Sequence, residues 1–164
     1  MANADTLRLF VDVINNPANP HFQDQDFLVD TYFCADNPAV NPLIPCAGIT
    51  DHGPTFKGRA DVKSLFQRLF ATFRPMAWVP VPGAPQLTGA SNIGIQMTVT
   101  GLFQGGWFPI GSGHESAPLT QLAAATGKGL GRSRRDASGL PAFAVFTFNA
   151  GTLIQQLQIY TDRY

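Results

Sequence analysis

Apolar residues recur at helical spacing in three segments of the first half of the chain. The strongest pattern begins at Val62, where apolar residues fall at i, i+3, i+4, i+7, i+8 and i+11. Such a continuous stripe is typical of a helix that packs on a sheet, so we predict a long helix over residues 59–74. Shorter stripes predict helices over 5–15 and 25–35, each followed by an Asn-Pro pair that ends it.

Apolar and polar residues alternate in the second half of the chain, which is the pattern of strands with one buried face. The clearest alternation covers residues 92–104. Further strands are predicted over 76–81, 141–149 and 152–161, and the last two flank an Asn-Ala-Gly turn to form a hairpin. These four strands are expected to form an antiparallel meander after the helices.

The segments that connect these elements differ in pattern. Short strands are predicted at 47–51 and 55–57, joined by a His-Gly-Pro turn. Residues 36–45 contain three prolines and no periodicity, so we expect an irregular loop there. Residues 105–140 are rich in Gly, Ser and Arg, and only 118–125 show a helical pattern. Because structureless loops of this length are unusual in compact domains, we interpret the segment as an insertion.

The order of these elements defines the expected fold class. Two helices, a short strand pair and the long helix precede consecutive strands, and this order excludes a doubly wound parallel sheet. We therefore predict an α+β fold in which a strongly curved antiparallel sheet wraps around the long helix. A chain of 164 residues fits a single domain, 1–164, with the loop insertion at about 105–140.

Composition narrows the range of partners. Charged residues make up 13% of the chain, and the 11 basic residues balance the 11 acidic ones. Without a net positive field we expect no nucleic-acid partner, and a surface poor in charge favours a homodimer. The N-terminus lacks a signal-peptide pattern and no apolar run is long enough to span a membrane, so we expect a cytoplasmic protein. Cys34 and Cys46 are predicted to be free thiols.

Three short patterns resemble those of the nuclear transport factor 2-like superfamily, and within it the SnoaL-like branch. They are the turn DHGPTFKGR at 51–59, the helix pattern VxxLFxxLF from Val62 and the hairpin pattern FxFNAGTLI from Phe146. The order of elements resembles these proteins over nearly the whole chain. The resemblance implies a cone-shaped, cystatin-like α+β roll with two N-terminal helices. Its sheet and helices would enclose an apolar pocket with a few polar groups at the floor and mouth.

The resemblance implies several activities. Ketosteroid isomerase, scytalone dehydratase, limonene epoxide hydrolase and polyketide cyclases have this fold, and so do proteins without turnover, so the fold does not select a reaction. The insertion is longer than the usual connection, and the strands lack the Arg and Asp pair of the epoxide hydrolases. We expect a small apolar ligand. The chain would either catalyse acid–base isomerisation, dehydration or cyclisation without a cofactor, or serve as a non-catalytic ligand-binding or dimerisation domain.

Asp51 and His52 are the first candidates for catalysis. The resemblance places them where ketosteroid isomerase-like proteins carry a general base, near the end of the first strand. A carboxylate or imidazole beside an apolar cavity is suited to proton transfer, but adjacent strand residues point to opposite faces, so only one of the two can face the pocket. The alternative is that these side chains only stabilise their own turn.

Tyr160 and Asp162 are candidates for the polarising partner of that base. Alternation puts them on the more polar face of the last strand, together with Ile154, Gln156 and Gln158. If this face borders the cavity, the two could donate and accept protons there. If it faces outward, they lie at a dimer surface or in solvent, and the polarity of the face favours this second interpretation. The opposite, packed face is expected to carry Leu153, Leu157 and Ile159.

Seven residues are candidates for contacts with the ligand. They are Tyr32, Phe33, Phe66, Trp78, Gln96, Trp107 and Phe146. The alternative for the aromatic members is an ordinary place in the core. The three histidines are not spaced as metal ligands, and no phosphate-binding or nucleophile motif is present, so neither a metal nor another cofactor is expected.

Overall fold

The computed structural model contains the helices that the apolar stripes predict. The structure describes residues 2–43, 55–84, 86–103, 107–109, 116–118 and 140–161. Within these residues the three predicted helices are confirmed as α1 (Asn3–Asn15), α2 (Gln25–Tyr32) and α3 (Gly58–Thr72).

Helix α2 begins with a side-chain cap and ends before its predicted limit. The Asp24 carboxylate accepts a 3.1 Å hydrogen bond from the Phe27 backbone N–H, which satisfies one of the free donors of the first turn. Phe33 leaves the helix in extended backbone, and Cys34 donates its N–H to the carbonyl of Ile154 at 2.9 Å. The helix thus ends where Cys34 pairs with Ile154, a residue near the other end of the chain.

Most of the described strands form one sheet. They are β1 (Ala39–Leu43), β2 (Phe56–Lys57), β3 (Phe73–Pro80), β4 (Leu87–Thr88), β5 (Asn92–Phe103), β6 (Trp107–Pro109), β7 (Ser116–Pro118), β8 (Leu140–Phe148) and β9 (Ile154–Thr161). Seven of them form a sheet in the order β2-β1-β9-β8-β5-β3, with β4 paired to β5. Strands β6 and β7 form a separate hairpin in the predicted insertion. The α+β class and the antiparallel order β3-β5-β8-β9 are confirmed.

Strand β1 shows that the prediction of an irregular loop over residues 36–45 was wrong. Ala39–Leu43 pair antiparallel with β2 and parallel with β9, and buried Val40 lies opposite Leu157. The prolines interrupt any alternating pattern in the sequence, and the strand forms through its pairing with β2 and β9. The strand predicted at 55–57 is confirmed as β2, whereas the one predicted at 47–51 and the following turn lie outside the described residues.

A bulge in β9 corrects the predicted faces of the last strand. The pairing of β8 and β9 is regular up to Gln156, but Phe148 then pairs with Ile154. The extra residue, Gln155, shifts the alternation and puts Ile154 on the buried face with Leu157. Grouping Ile154 with the polar residues of this strand was therefore wrong.

One face of the sheet, here called the inner face, is buried beneath α1 and α3. Alternate residues of the two central strands supply its side chains, as expected for strands with one buried face. They are Ile93, Ile95, Met97 and Val99 of β5, and Ala142, Ala144, Phe146 and Phe148 of β8. On the opposite, outer face, large apolar side chains such as Val79 and Tyr160 are exposed.

Two side-chain amides attach α1 and the segment after it to β3, the last described strand on one side of the sheet. The Asn15 amide donates to the Trp78 carbonyl at 2.8 Å, and its oxygen accepts the Trp78 N–H at 2.7 Å. Gln23 donates to the Met76 carbonyl at 2.8 Å. These bonds satisfy backbone groups that would otherwise be free at the edge, and they fix the position of α1 on the sheet.

Candidate functional site

The structure describes one of the four predicted catalytic residues. Asp51, His52 and Asp162 lie outside the described residues, so their roles remain predictions. Tyr160 pairs with Phe143 of β8, and its side chain is 40% exposed. The Tyr160 side chain lies on the outer face, whereas the buried residues of β9 face the interior. The polarity of the Tyr160 face favoured this outward orientation in the sequence.

Aromatic side chains from both helices and strands meet in the interior around Phe10. The Phe10 ring lies 5.6 to 6.3 Å, between ring centroids, from five other rings, mostly in edge-to-face geometry. Such pairs add to the stabilisation that burial provides. With Phe10, the five form what we call the aromatic cluster: Tyr32, Phe33, Phe66, Trp78 and Phe146.

The aromatic cluster contains five of the seven residues predicted to contact a ligand. The structure brings them together, and each is buried among protein side chains with at most 7% exposure. Their contact with a ligand remains a prediction. Phe10 was missed as the centre of the group, because its apolar spacing along α1 indicated a buried helix face and nothing more specific.

Tyr32 is the titratable member of the aromatic cluster. Burial of its phenol, and to a smaller extent the negative charge of Asp12, raise the pKa of Tyr32 above its ordinary value. The hydroxyl therefore stays protonated at neutral pH. In that state it can donate a hydrogen bond but cannot act as a general base.

A groove of about 300 Å³ opens on another face of α1. Helix α1 contributes one wall, with Ala4, Leu7, Arg8 and Val11. The end of β3, the turn that follows it and β5 contribute the rest of the described lining: Pro80, Val81, Ala84, Gln86, Ile95 and Gln96. We call this the α1 groove.

The turn after β3 is held in place by backbone hydrogen bonds. The Val81 N–H donates to the Gln96 carbonyl at 3.0 Å, which joins the turn to β5. The Ala84 N–H donates to the Val81 carbonyl at 3.2 Å and closes the turn. Gly83 has a φ of 78°, a left-handed conformation that glycine adopts without strain. Both walls of the groove are therefore attached to the same sheet.

Arg8 carries the only charge among the described lining residues of the groove. Its side chain is exposed and makes no ion pair with any residue that the structure describes. The nearest acidic residues along α1 have other partners: Asp5 accepts the Ala2 N–H at 3.1 Å, and Asp12 accepts from two asparagine amides at 2.8 and 3.2 Å. The groove thus combines apolar walls with one cation.

Gln96 is the predicted ligand-contacting residue that lines the α1 groove, but its pairing with Phe143 puts its side chain on the outer face. The other groove residues were missed. Leu7 and Val11 belong to the apolar stripe of α1 and were assigned to a buried face, while Arg8 gave no signal in the sequence. Trp107 lies in β6, and the position of its side chain is outside the described part of the chain.

No three His, Cys, Asp or Glu side chains in the described ranges are grouped so that they could hold a metal ion. No helix in the same ranges combines the length and the apolar character needed to cross a membrane.

Several solved structures share this fold at low sequence identity. A SnoaL-like polyketide cyclase from Agrobacterium tumefaciens has a TM-score of 0.57 and 12% identity, over 99% of this chain and 92% of that protein. The epoxide hydrolase/cyclase-like enzyme SalBIII, with a role in pyran ring formation in the polyether salinomycin, has a TM-score of 0.58 and 12% identity, over 98% and 90%. A Xanthomonas campestris protein of unknown function with a cystatin-like fold has a TM-score of 0.56 and 10% identity, over 99% and 93%.

The sequence comparisons are negative. No protein-family model matches the sequence, and no curated protein matches it. Structural likeness at these identities establishes the fold and does not transfer an activity. The resemblance that the turn, helix and hairpin patterns indicate is confirmed at this level: the chain has the cystatin-like α+β fold of the SnoaL-like proteins.

Proposed function

We propose that this protein binds a small, mostly apolar molecule in the α1 groove. The main supporting observation is the composition of the groove, in which the apolar residues Leu7, Val11 and Ile95 lie beside Arg8. Small-molecule sites have this combination of apolar walls and few polar groups, and about 300 Å³ is at the lower end of their usual volumes. The polyketide cyclase and SalBIII among the fold neighbours support a small organic ligand.

The described groove residues support binding rather than turnover. Acid–base catalysis needs a group that gains and loses a proton near the working pH, such as a histidine or a carboxylate. The described lining contains neither a histidine nor a carboxylate. We retain acid–base isomerisation, dehydration or cyclisation as an activity that would require Asp51, His52 or Asp162.

A substitution that fills the groove tests this proposal. Ala4 is exposed on α1 and lines the groove, so Ala4→Trp should occupy part of it without disturbing the core. Ala60 is exposed on α3 and lies outside the described lining, so Ala60→Trp is a matched control. We expect compounds selected by thermal shift from steroids, terpenes and polyketides to bind wild type and Ala60→Trp equally. Their affinity for Ala4→Trp should be at least about tenfold lower, because the indole takes up volume that the ligand needs.

Two results would reject the groove as the binding site. One is unchanged affinity in Ala4→Trp, which would place the ligand elsewhere. The other is the absence of any saturable ligand for the folded wild-type protein across the panel.

A second candidate function is self-association through the outer face, because a row of apolar side chains crosses it. The Phe143 ring covers Gly94, Leu87 lies beside them on β4, and Tyr160 pairs with Phe143 from β9. Leu87 is 58% exposed and Tyr160 40%. Exposed apolar patches of this kind are typical of interaction surfaces.

Sedimentation of the wild type and of a Leu87→Lys, Tyr160→Lys double variant tests this second function. We expect a homodimer in the wild type and a folded monomer in the double variant, because two buried lysines would oppose association. A wild-type monomer, or a dimer that the two lysines leave intact, would reject the outer face as the interface.

A further inference from the structure

We propose that the α1 groove selects ligands that join a small apolar body to an anionic group, and that Arg8 binds the anion. The inference rests on the proposed binding function and specifies the chemical class of ligand. It is drawn from the position of Arg8 beside apolar residues and from the absence of a partner for its charge among the described residues.

The apolar body of the ligand would contact the deepest residues of the groove. Leu7 is 6% exposed and Ile95 8%, so these two form the floor between α1 and β5. Val11 is half-buried, and it lies four residues after Leu7, on the same side of the helix. A ligand on this floor would cover mainly the part of Val11 that solvent now reaches, and burial of that apolar surface favours binding.

Arg8 lies at the rim beside this floor. It directly follows Leu7 and comes four residues after Ala4, another lining residue, so the guanidinium can reach over the groove while its stem packs along the wall. The planar guanidinium presents paired N–H donors whose spacing matches the two oxygens of a carboxylate. An anionic group attached to a body on the floor would therefore find a bidentate partner.

Arg8 differs in its ion-pair partners from the basic side chains Arg59 and Lys63 on α3. Lys63 donates to the Asp30 carboxylate at 2.9 Å, and Arg59 lies 3.8 Å from the same residue while it also binds the Phe33 carbonyl. Arg8 has no such partner among the described residues. A ligand anion would thus gain a charge-assisted interaction without breaking an ion pair within the described part of the chain.

The preference for an anion would be local. The net charge of the chain is zero, so no long-range field gathers anions at its surface. Asp5 and Asp12 weaken the positive potential near Arg8, which limits the expected preference to a moderate factor. Because the Arg8 side chain is exposed, added salt should reduce that preference further.

Three probes of nearly equal size test the inference. They share a naphthalene ring and differ in charge: naphthoate is an anion, naphthalenemethanol is neutral and naphthylmethylamine is a cation at neutral pH. We expect naphthoate to bind the wild type about fivefold more tightly than naphthalenemethanol at low salt, and the cation to bind most weakly. The naphthoate preference should shrink between about 20 and about 500 mM salt.

Two substitutions of Arg8 and a matched control assign the preference to that residue. Arg8→Gln should bind naphthoate and naphthalenemethanol equally, while Arg8→Lys should retain part of the preference because it keeps the charge but loses the bidentate geometry. Lys57→Gln removes one exposed positive charge from β2, outside the described lining, and should leave the preference unchanged. Circular dichroism and a melting curve confirm that each variant is folded.

The outcomes separate this inference from the proposed binding function. If naphthoate and naphthalenemethanol bind the wild type equally and Ala4→Trp weakens both, the groove binds ligands but Arg8 does not select anions. A naphthoate preference that persists in Arg8→Gln would also overturn the inference. If no probe binds the wild type, the groove itself fails as a site, and the proposed function fails with it.

Discussion

Two faces of α1 meet the rest of the molecule in different ways. Phe10 faces the interior, where rings from α2, α3, β3 and β8 surround it at centroid separations of 5.6 to 6.3 Å. Leu7 and Val11 face the α1 groove, whose other wall is the turn after β3 and part of β5. Both faces are apolar, yet one is filled by protein and the other leaves about 300 Å³ open.

The difference lies in how many elements converge on each face. Phe10 has partners from four elements, so every side of its ring contacts protein. The described residues form walls on two sides of the groove, and Arg8 at its rim lacks an ion-pair partner among them. We therefore take an apolar side chain as evidence of a ligand site only under two conditions. Part of its surface must lack contact with protein, and a charged group beside it must lack an ion-pair partner.

The largest expected effect compares stability at the two faces. Phe10→Ala should lower the free energy of unfolding by about 3–5 kcal/mol, because it leaves a cavity that five fixed rings cannot close. Val11→Ala, at the groove, should cost about 1 kcal/mol, since solvent already reaches this half-buried side chain. Urea unfolding measures both. Equal losses would contradict the distinction between a filled face and an open one.

A smaller effect is expected from the attachment of α1 to the sheet. Asn15→Ala removes both hydrogen bonds to Trp78 and should cost about 2 kcal/mol, because it leaves the backbone groups of an edge strand unpaired. Asn16→Ala is the matched control and should cost less than about 1 kcal/mol, since the described partners of the Asn16 side chain, Asp12 and Ala18, are local. The two variants would be compared by urea unfolding. Similar losses would show that these amide bonds do not fix α1.

The smallest expected effect concerns the pH dependence of Tyr32 at the border of the aromatic cluster. Burial and the Asp12 charge raise its pKa in the folded protein, so the folded state favours the protonated phenol. The resulting contribution of Tyr32 to the free energy of unfolding is fully present below the ordinary tyrosine pKa of about 10. It is lost as the pH rises through the higher pKa of the folded state. The free energy of unfolding should therefore fall less steeply at alkaline pH in Tyr32→Phe than in the wild type.

Denaturant unfolding between neutral and alkaline pH measures this slope. Tyr160→Phe controls for the loss of a hydroxyl from an exposed tyrosine. Identical slopes for the wild type and Tyr32→Phe would contradict the burial of the Tyr32 phenol.

The elements that depend on apolar spacing within a single segment could be predicted from the sequence. The stripes of α1 and α3 and the alternation along β5 lie within single segments, so their apolar spacing was sufficient. Strand β1 could not be predicted in this way, because Val40 becomes part of a strand through its pairing with Phe56 and Leu157, which lie in other segments. The prediction that Ile154 lies on the polar face was wrong for a related reason, since the bulge at Gln155 depends on the register between β8 and β9.

The candidate site was predictable only in part. Phe33, Phe66 and Phe146 were expected to contact a ligand, and their rings all lie beside Phe10. A sequence pattern cannot show whether an apolar side chain contacts protein or a ligand. Arg8 gave no signal, because its lack of an ion-pair partner among the described residues depends on the arrangement of all the charges around it. The groove also joins α1 to a turn far along the chain, which no local pattern links to it.

The central claim is that a ligand binds at the α1 groove and not within the aromatic cluster. A heteronuclear NMR titration of the wild-type protein with naphthoate tests it most directly. We expect shifts for the amides of Arg8, Val81 and Ala84 and for the Ile95 methyl groups, with unchanged ring signals for Phe33, Phe66 and Phe146. Shifts concentrated on those three rings, with the groove residues unaffected, would contradict it.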